Sequence, residues 1–215
     1  MSPDSPPGAL RDWIARHLDP LEAHPAPERV VHSDFDLNPA NAPARPVTLT
    51  PAAVLVGLVE RPAGLSVILT RRADTLRSHT GQVAFPGGRA DPGELPWHTA
   101  LREAEEEIGL DPGLVSVAGL STPYQTGTGF LVTPVVGFVE PTLTLTANPH
   151  EVAVIFETPF GFLMNPTNYE EREGRTPAGD RRRFYAMTWE DQYIWGATAG
   201  MLRALYDRLY GAAVA

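Results

Sequence analysis

The sequence contains neither cysteine nor lysine among its 215 residues. Without cysteine the chain can form no disulfide, no thiolate nucleophile and no cysteine-ligated zinc site. Without lysine, Schiff-base chemistry and a phosphate-binding loop that ends in lysine are both excluded. All 17 basic residues are arginine, so recognition of an anionic ligand must rely on guanidinium groups.

Excess basic charge and long apolar runs are also missing. The formal net charge is −9, which argues against general nucleic-acid binding, because contact with phosphates requires a basic face. No stretch approaches the length needed to cross a bilayer, and residues 1–7 lack the basic and apolar regions of a signal peptide. The sequence therefore predicts a cytoplasmic protein without nucleic-acid or membrane partners, and it leaves the oligomeric state open.

Prolines distinguish an N-terminal arm from the rest of the chain. Nine of the 22 prolines lie in the first fifty residues, where we expect irregular backbone apart from a short amphipathic helix around Leu10 to Leu18. We predict that residues 1–48 form an arm packed on the core. The chain is 43% hydrophobic, enough to bury one full core, and residues 49–215 are predicted to form a single domain that includes a C-terminal helix.

Strand and helix patterns are intermixed along this domain. Apolar runs rich in Val, Ile and Leu predict strands at 52–60, 65–71, 82–86, 115–121, 130–140, 152–157 and 182–188. Helical spacing predicts one helix from Pro96 to Ile108 and another from about Gln192 to Tyr210. This succession is typical of an α/β fold, with a mixed sheet sandwiched between helices.

The helix predicted from Pro96 to Ile108 has a strongly acidic face. At about 100° per residue, Glu103, Glu106 and Glu107 lie on one side and the apolar residues on another. Like charges at this spacing repel each other. A hard divalent cation such as Mg²⁺, which prefers carboxylates, waters and substrate phosphates, would turn that repulsion into binding. Taken alone, such a cluster is more often a solvated face.

The surrounding residues complete a longer pattern. Gly88 is followed by five residues, Glu94, seven residues, Arg102-Glu103 and then Ala104 through Leu110. This pattern resembles the Nudix box at every fixed position, with Ala104 smaller than the aliphatic residue usual there. The resemblance implies a Nudix-type α/β/α sandwich with a mixed β-sheet. It also implies hydrolysis of a nucleoside diphosphate linked to another group.

The resemblance assigns roles within the box and implies Mg²⁺ or Mn²⁺ as cofactor. Glu103 and Glu107 are predicted metal ligands, with Glu106 as a third ligand or as the catalytic base. Glu94 and Arg102 are predicted to form a structural ion pair between loop and helix. Gly87 and Gly88 allow backbone conformations that a side chain would oppose. Both glycines are predicted to line the substrate site.

A second pattern precedes the box. It reads Leu69-Thr70-Arg71-Arg72-Ala73, three residues, Arg77, three residues, Gly81, three residues and Phe85-Pro86-Gly87-Gly88. It resembles the signature of the coenzyme A pyrophosphatase branch of the Nudix family, with Ile68 where leucine is common. A weaker match to the C-terminal helix of that branch covers residues 194–199.

This second resemblance implies a small-molecule substrate of the coenzyme A type, hydrolysed to 3′,5′-ADP and 4′-phosphopantetheine. Arg71, Arg72 and Arg77 can pair with phosphate oxygens in bidentate fashion, and His79 is a candidate contact for phosphate or adenine. Two other functions stay open. One is hydrolysis of ADP-ribose or NADH, and the other is a non-catalytic Nudix-fold ligand-binding module, which the intact acidic face disfavours.

The general base is the last predicted role. Related Nudix enzymes often draw a further carboxylate from a distant loop. Glu151, just before the strand that begins at Val152, is the candidate for base or extra metal ligand. Glu140 and Glu157 are the alternatives, and geometry must decide among the three.

Overall fold

The described part of the chain contains four α-helices and twelve β-strands. The computed structural model describes residues 1–3, 5–23, 32–45, 47–73, 81–175, 179 and 181–211. The helices are α1 (Pro7–Arg16), α2 (Pro96–Ile108), α3 (Phe160–Leu163) and α4 (Ala197–Tyr210). The strands are β1 (His32–Ser33), β2 (Thr50–Arg61), β3 (Gly64–Arg72), β4 (Val83–Ala84), β5 (Gly87–Arg89), β6 (Val115–Leu120), β7 (Tyr124–Gln125), β8 (Phe130–Val139), β9 (Val152–Pro159), β10 (Glu170–Arg175), β11 (Arg181–Trp189) and β12 (Gln192–Trp195). Within these ranges, no helix has the length and apolar character needed to cross a membrane.

A mixed central sheet is built around β2. This strand runs parallel to β8 along ten paired residues, from Thr50 opposite Phe130 to Val59 opposite Val139. It runs antiparallel to β3 and to the short strand β5. Strand β3 also pairs with β4 and β9, while β8 pairs with β6 and β7. The last three strands form a separate antiparallel sheet, in the order β10-β11-β12.

Helices cover both faces of the central sheet. Along β2, Val56 and Leu58 belong to one buried apolar cluster, whereas Leu55 and Val59 belong to another. This division follows from the alternation of side chains between the two faces of a strand. The first cluster includes residues of α1 and α4, and the second includes residues of α2. The predicted α/β/α sandwich around a mixed sheet is therefore confirmed.

The N-terminal segment contacts the helix and the small sheet of the first face. Ile14 of α1 is 1% exposed and belongs to the cluster that contains α4. Arg208 of α4 donates to both carboxylate oxygens of Asp19, at 2.7 and 3.1 Å. The side chain of Asn38 makes reciprocal hydrogen bonds with the backbone of Arg183 in β11, at 2.7 and 2.8 Å. The division into an arm at 1–48 and a domain at 49–215 stays a prediction.

The prediction of a helix beginning near Gln192 is wrong for its first residues. The helix α4 begins at Ala197, and the preceding residues form β12, which pairs with β11. Gly196 separates the two elements with φ of 63° and ψ of −135°, a conformation that glycine adopts readily. Helical spacing alone missed this strand because its hydrogen bonds come from β11. Strand β10 was also not predicted, since its side chains are mostly charged and exposed.

Candidate active site

Helix α2 supports the acidic residues and has clear boundaries. Pro96 occupies its first turn, and Gly109 ends it in the left-handed conformation with φ of 63°. Ala100, Ala104 and Ile108 are fully buried against the second apolar cluster. The small side chain of Ala104, the one departure within the box, thus lies in close-packed core. The acidic residues lie outside this apolar face, and α2 also contacts β5 and β9.

Glu107 is the most buried of the acidic side chains on α2. Its side chain is 5% exposed. One carboxylate oxygen accepts a hydrogen bond from the backbone N–H of Gly87 at 3.1 Å, and the other lies 3.9 Å from Nη1 of Arg72. Burial raises the pKa of Glu107 to about 7, against the effects of that hydrogen bond and of Arg72, while the charges of Glu103 and Glu151 add to the increase.

Glu103 lies directly beneath the glycine loop. A Cβ atom on Gly88 would be 2.5 Å from the carboxylate carbon of Glu103, and one on Gly87 would be 2.4 Å from the backbone oxygen of Ala53. At Gly87 the close neighbours are backbone atoms of β2, so a side chain would move the loop away from that strand, whereas at Gly88 a side chain would displace the carboxylate of Glu103. Contact of these glycines with substrate stays a prediction. Burial raises the pKa of Glu103, and hydrogen bonding to Arg102 opposes that rise.

The ion pair predicted between Glu94 and Arg102 is present and bidentate. Nε and Nη2 of Arg102 each donate to one carboxylate oxygen of Glu94, both at 3.0 Å. Glu94 also accepts from Oγ1 of Thr99 at 2.8 Å and from the backbone N–H of Asp91 at 3.0 Å. These contacts, that with Arg102 foremost, lower the pKa of Glu94 to about 2. The pair joins the loop to α2 and leaves Nη1 of Arg102 directed at Glu103, 2.9 Å away.

The remaining acidic candidates differ sharply in their surroundings. Glu106 is 56% exposed and contacts Arg102 at 3.4 Å. Glu151 immediately precedes β9, and its charge raises the pKa of both Glu103 and Glu107. The side-chain amide of Asn148 donates to Glu151 at 3.2 Å. Sequence reasoning missed Asn148, although the Asn-Pro-His order before Glu151 is a turn signal that could have indicated it.

The two alternatives to Glu151 are not part of this arrangement. Glu157 forms a bidentate ion pair with Arg61, at 2.6 and 2.9 Å, and lies opposite Ile68 toward the middle of β3. Glu140 is exposed immediately after β8. Of the three candidates, Glu151 is the one whose charge acts on Glu103 and Glu107 of α2.

A divalent cation fits the donor chemistry of this cluster. The donors are carboxylate oxygens, which Mg²⁺ and Mn²⁺ prefer, and the charges of the half-buried Glu103 and the buried Glu107 repel each other in the absence of a counter-charge. Within the described ranges, however, no three acidic or histidine side chains already stand close enough to hold an ion. Arg102 holds Glu103 and contacts Glu106, while Gly87 holds Glu107. Binding of an ion would therefore require side-chain rotation, and the predicted ligand set stays a prediction.

Of the predicted phosphate-binding residues, Arg72 lies beside this cluster, and Arg71 precedes it in the same strand. Arg71 and Arg72 end β3, and Arg72 contacts Glu107. In each, Nε is buried and has no hydrogen-bond partner among the described residues. Arg77 and His79 lie outside the described residues.

The arginine run at the start of β11 makes contacts of another kind. Arg181 pairs with Glu173 across the small sheet, Arg182 pairs with Asp34 at 3.0 Å, and Arg183 donates to the backbone oxygen of Leu37. The last two contacts hold the N-terminal segment on the small sheet.

Comparison with known proteins identifies the class to which this site belongs. The family model of the NUDIX domain matches residues 49–179, more than half of the chain. The chain belongs to the Nudix family, and it is a hydrolase of the class that acts on diphosphate bonds. Nudix hydrolases generally use divalent metal ions.

Two relatives from Yersinia are similar to the chain over most of its length. The chain is 44% identical over 159 residues to a protein of Yersinia enterocolitica named uncharacterized Nudix hydrolase NudL. The aligned region covers 74% of this chain and 80% of that protein. It is 43% identical to the NudL of Yersinia pestis strain Pestoides F, with 74% and 79% covered.

Two solved structures are less similar to the chain in sequence. The Nudix hydrolase RenU of M. smegmatis has a TM-score of 0.45 at 26% identity, covering 54% of this chain and 74% of RenU. The E. coli ORF135 protein has a TM-score of 0.44 at 17% identity, covering 80% of this chain and 100% of that protein.

Proposed function

We propose that this Nudix hydrolase cleaves the diphosphate bond of coenzyme A, free or derivatised. A water molecule attacks one phosphorus of the diphosphate, and the bridging oxygen leaves with the other phosphate. The products are 3′,5′-ADP and 4′-phosphopantetheine. The proton of the attacking water passes to a base, for which Glu151 is our candidate because its charge acts on both Glu103 and Glu107 of α2.

The observation that carries the substrate assignment is the pair of guanidinium groups at the end of β3. Both Nε atoms are buried without a partner among the described residues, and a buried polar group without a hydrogen bond is costly. A ligand with several phosphates would satisfy them. Coenzyme A has three, two in its diphosphate and one on the ribose, and residues 68–88 resemble the signature of the coenzyme A branch.

The acidic residues have separate roles in this proposal. Glu103, Glu106 and Glu107 would hold Mg²⁺ or Mn²⁺. Such an ion would neutralise charge on the diphosphate and lower the pKa of a water molecule. Arg102 orients Glu103 through the contact at 2.9 Å. Arg72, beside Glu107, pairs with the diphosphate, and Arg77 and His79 are further proposed contacts outside the described residues.

A substrate panel tests the proposal. The protein is incubated with Mg²⁺ and, separately, coenzyme A, dephospho-coenzyme A, ADP-ribose or NADH, and the products are identified by mass. We expect coenzyme A to be hydrolysed most efficiently. If ADP-ribose were hydrolysed fastest, with coenzyme A and dephospho-coenzyme A equal, the assignment would be replaced by the ADP-ribose or NADH alternative.

Two variants of α2 control for the site itself. Glu107→Gln removes a buried carboxylate, whereas Glu105→Gln removes an exposed one from the same helix. We expect the first to lose activity and the second to keep it. Normal turnover by Glu107→Gln would mean that the acidic face is not the reaction centre, and absence of turnover by the unaltered protein on every substrate would favour a ligand-binding module.

A further inference from the structure

The segment that precedes β9 is attached to the C-terminal end of α2 through its backbone. The last carbonyl groups of a helix have no partner within the helix, and two of them accept hydrogen bonds from this segment. The backbone N–H of Thr146 donates to the oxygen of Ile108 at 2.9 Å, and that of Asn148 donates to the oxygen of Glu107 at 2.8 Å. The backbone of Asn148 is therefore held in place relative to Glu107.

Asn148 also begins the tight turn that leads to Glu151. Its backbone oxygen accepts from the N–H groups of Glu151 and Val152, at 3.0 and 2.8 Å. Its side-chain oxygen Oδ1 accepts from the backbone N–H of His150 at 3.1 Å. A bond from an asparagine side chain to the backbone two residues further on is a common way to stabilise a turn.

The turn determines which atom of the Asn148 amide faces Glu151. Because a backbone N–H can only donate, the atom directed at His150 is the oxygen, and the NH₂ group is left for Glu151. This group donates to Oε1 of Glu151 at 3.2 Å. The bond involves one carboxylate oxygen, and a base needs only one oxygen to accept a proton. Asn148 thus joins Glu107, through its backbone, to Glu151, through its side chain.

A second turn in the chain has the same sequence start and the same side-chain geometry. Asn165 also precedes a proline, and its Oδ1 accepts from the backbone N–H of Thr167 at 3.1 Å. Asn165 is exposed, and within the described part of the chain its amide donates to no carboxylate. The bond to a carboxylate is therefore a property of Asn148 that the turn itself does not require.

We infer that Asn148 is a positioning residue, which holds the carboxylate of Glu151 at a fixed place relative to Glu107. This role rests on the proposed function, in which Glu151 receives the proton of the attacking water. A glutamate side chain has several staggered rotamers, and a displacement of about 1 Å in a catalytic group lowers the rate by on the order of a hundredfold. An amide donor that is itself held by α2 and by the turn favours one of these rotamers.

Asn148→Asp tests this role because it keeps the turn and removes the donor. Aspartate still offers an oxygen to the N–H of His150, but it replaces the NH₂ group beside Glu151 by a second oxygen. We expect kcat to fall by roughly ten- to a hundredfold, the size of a lost hydrogen bond to a charged group. KM should change little, because Asn148 acts through Glu151. Asn165→Asp alters the other turn in the same way and should leave both constants unchanged.

A double-mutant cycle with Glu151→Gln measures whether the effect passes through Glu151. The cycle uses Mg²⁺ and whichever of coenzyme A, dephospho-coenzyme A, ADP-ribose and NADH is hydrolysed fastest. Residues that act as a unit have non-additive effects, so Asn148→Asp should cost little further kcat in the Glu151→Gln protein. If Asn148→Asp does not fold, the neutral Asn148→Ser takes its place in the cycle.

The outcomes separate this role from the proposed function. If a substrate other than coenzyme A is hydrolysed fastest, the coenzyme A assignment fails while the cycle still decides the role of Asn148. Normal kcat for the Asn148 variants, or losses that multiply fully in the double variant, would overturn the positioning role alone. Equal losses for Asn148→Asp and Asn165→Asp would overturn it as well. Normal kcat for Glu151→Gln would overturn Glu151 as the base and Asn148 with it.

Discussion

Glu107 is a buried carboxylate whose charge has a cost until a cation compensates it. Because burial raises its pKa to about 7, the side chain is charged at pH 8 at the expense of stability. In metal-free protein at pH 8, we expect Glu107→Gln to increase the free energy of unfolding by on the order of 3 kcal/mol. This is the free-energy cost of ionising a carboxyl group whose pKa has been raised from 4.5 to about 7 by folding. Thermal unfolding in the presence of a chelator measures this change.

Addition of Mg²⁺ should make the unaltered protein more stable than Glu107→Gln. An ion that binds the folded state raises its unfolding temperature, and this increase should be large for the unaltered protein and small for Glu107→Gln. Glu105→Gln, on the exposed side of α2, should respond to Mg²⁺ as the unaltered protein does. Equal stabilisation of all three would contradict the role of Glu107 as a ligand.

Gly88 is a second single residue on which the site depends. A methyl group at this position would overlap the carboxylate of Glu103, at 2.5 Å from its carbon. We expect Gly88→Ala to lower kcat/KM by roughly a hundredfold, because a displacement of about 1 Å in a catalytic group has effects of that size. Steady-state kinetics measure the loss, and Gly8→Ala, with no atom within 4 Å of the added methyl, serves as the control. Unchanged kinetics for Gly88→Ala would mean that the loop yields easily.

At the scale of elements, the pair of Glu94 and Arg102 fixes the loop on α2. Its bidentate contact lowers the pKa of Glu94 to about 2. Since the pKa is lowered in the folded state, the stabilising contribution is complete above pH 4.5, the ordinary value, and is lost as the pH falls toward 2. Glu94→Gln should therefore reduce stability near pH 7, by on the order of 2 kcal/mol for a hydrogen bond to a charged group.

The pH dependence distinguishes this contribution from a general loss of packing. Denaturation by urea, measured between pH 2 and 7, should give curves for Glu94→Gln and the unaltered protein that converge as the pH falls. Glu22→Gln, in the exposed segment after α1, should follow the unaltered protein throughout. A constant difference between Glu94→Gln and the unaltered protein at every pH would rule out the ionised pair as its cause.

Elements held by local contacts were predictable, and those held by distant partners were less so. The spacing of Glu103, Glu106 and Glu107, the ion pair of Glu94 with Arg102 and the glycine end of α2 all follow from contacts within some twenty residues. Strand β12 depends on pairing with β11, and its aromatic and β-branched residues also satisfied a helical pattern. The turn signal at Asn148 was visible in the sequence, but its hydrogen bond to Glu151 depends on how the chain folds after the turn.

At the scale of the whole molecule, the site is assembled from segments far apart in the chain. The end of β3 provides Arg72, α2 provides Glu107, and the start of β9 places Glu151 near both. The backbone N–H of Ala73 donates a hydrogen bond to the backbone oxygen of Glu151 at 2.8 Å, and this bond joins the end of β3 to the segment before β9.

The N-terminal segment provides the test of whether the molecule unfolds as one unit. Ile14 is 1% exposed in the cluster that also contains α4, and Trp13 lies against Tyr210 with ring centres 4.8 Å apart. If the arm is part of the same cooperative core, Ile14→Ala should lower the free energy of unfolding by about 2–4 kcal/mol, the range for truncation of a buried aliphatic side chain. Asp12→Ala, exposed on the same helix, should have little effect.

Cooperativity is read from urea denaturation followed by tryptophan fluorescence and by far-ultraviolet circular dichroism. Coincident transitions that shift together in Ile14→Ala would mean that α1 and the central sheet unfold as a unit. An early transition with a partial change in both signals, from Trp13 and from the helix α1, would instead mean that the arm detaches first. The boundary predicted between residues 48 and 49 would then separate two units of different stability, although Leu10, Ile14 and α4 share one apolar cluster.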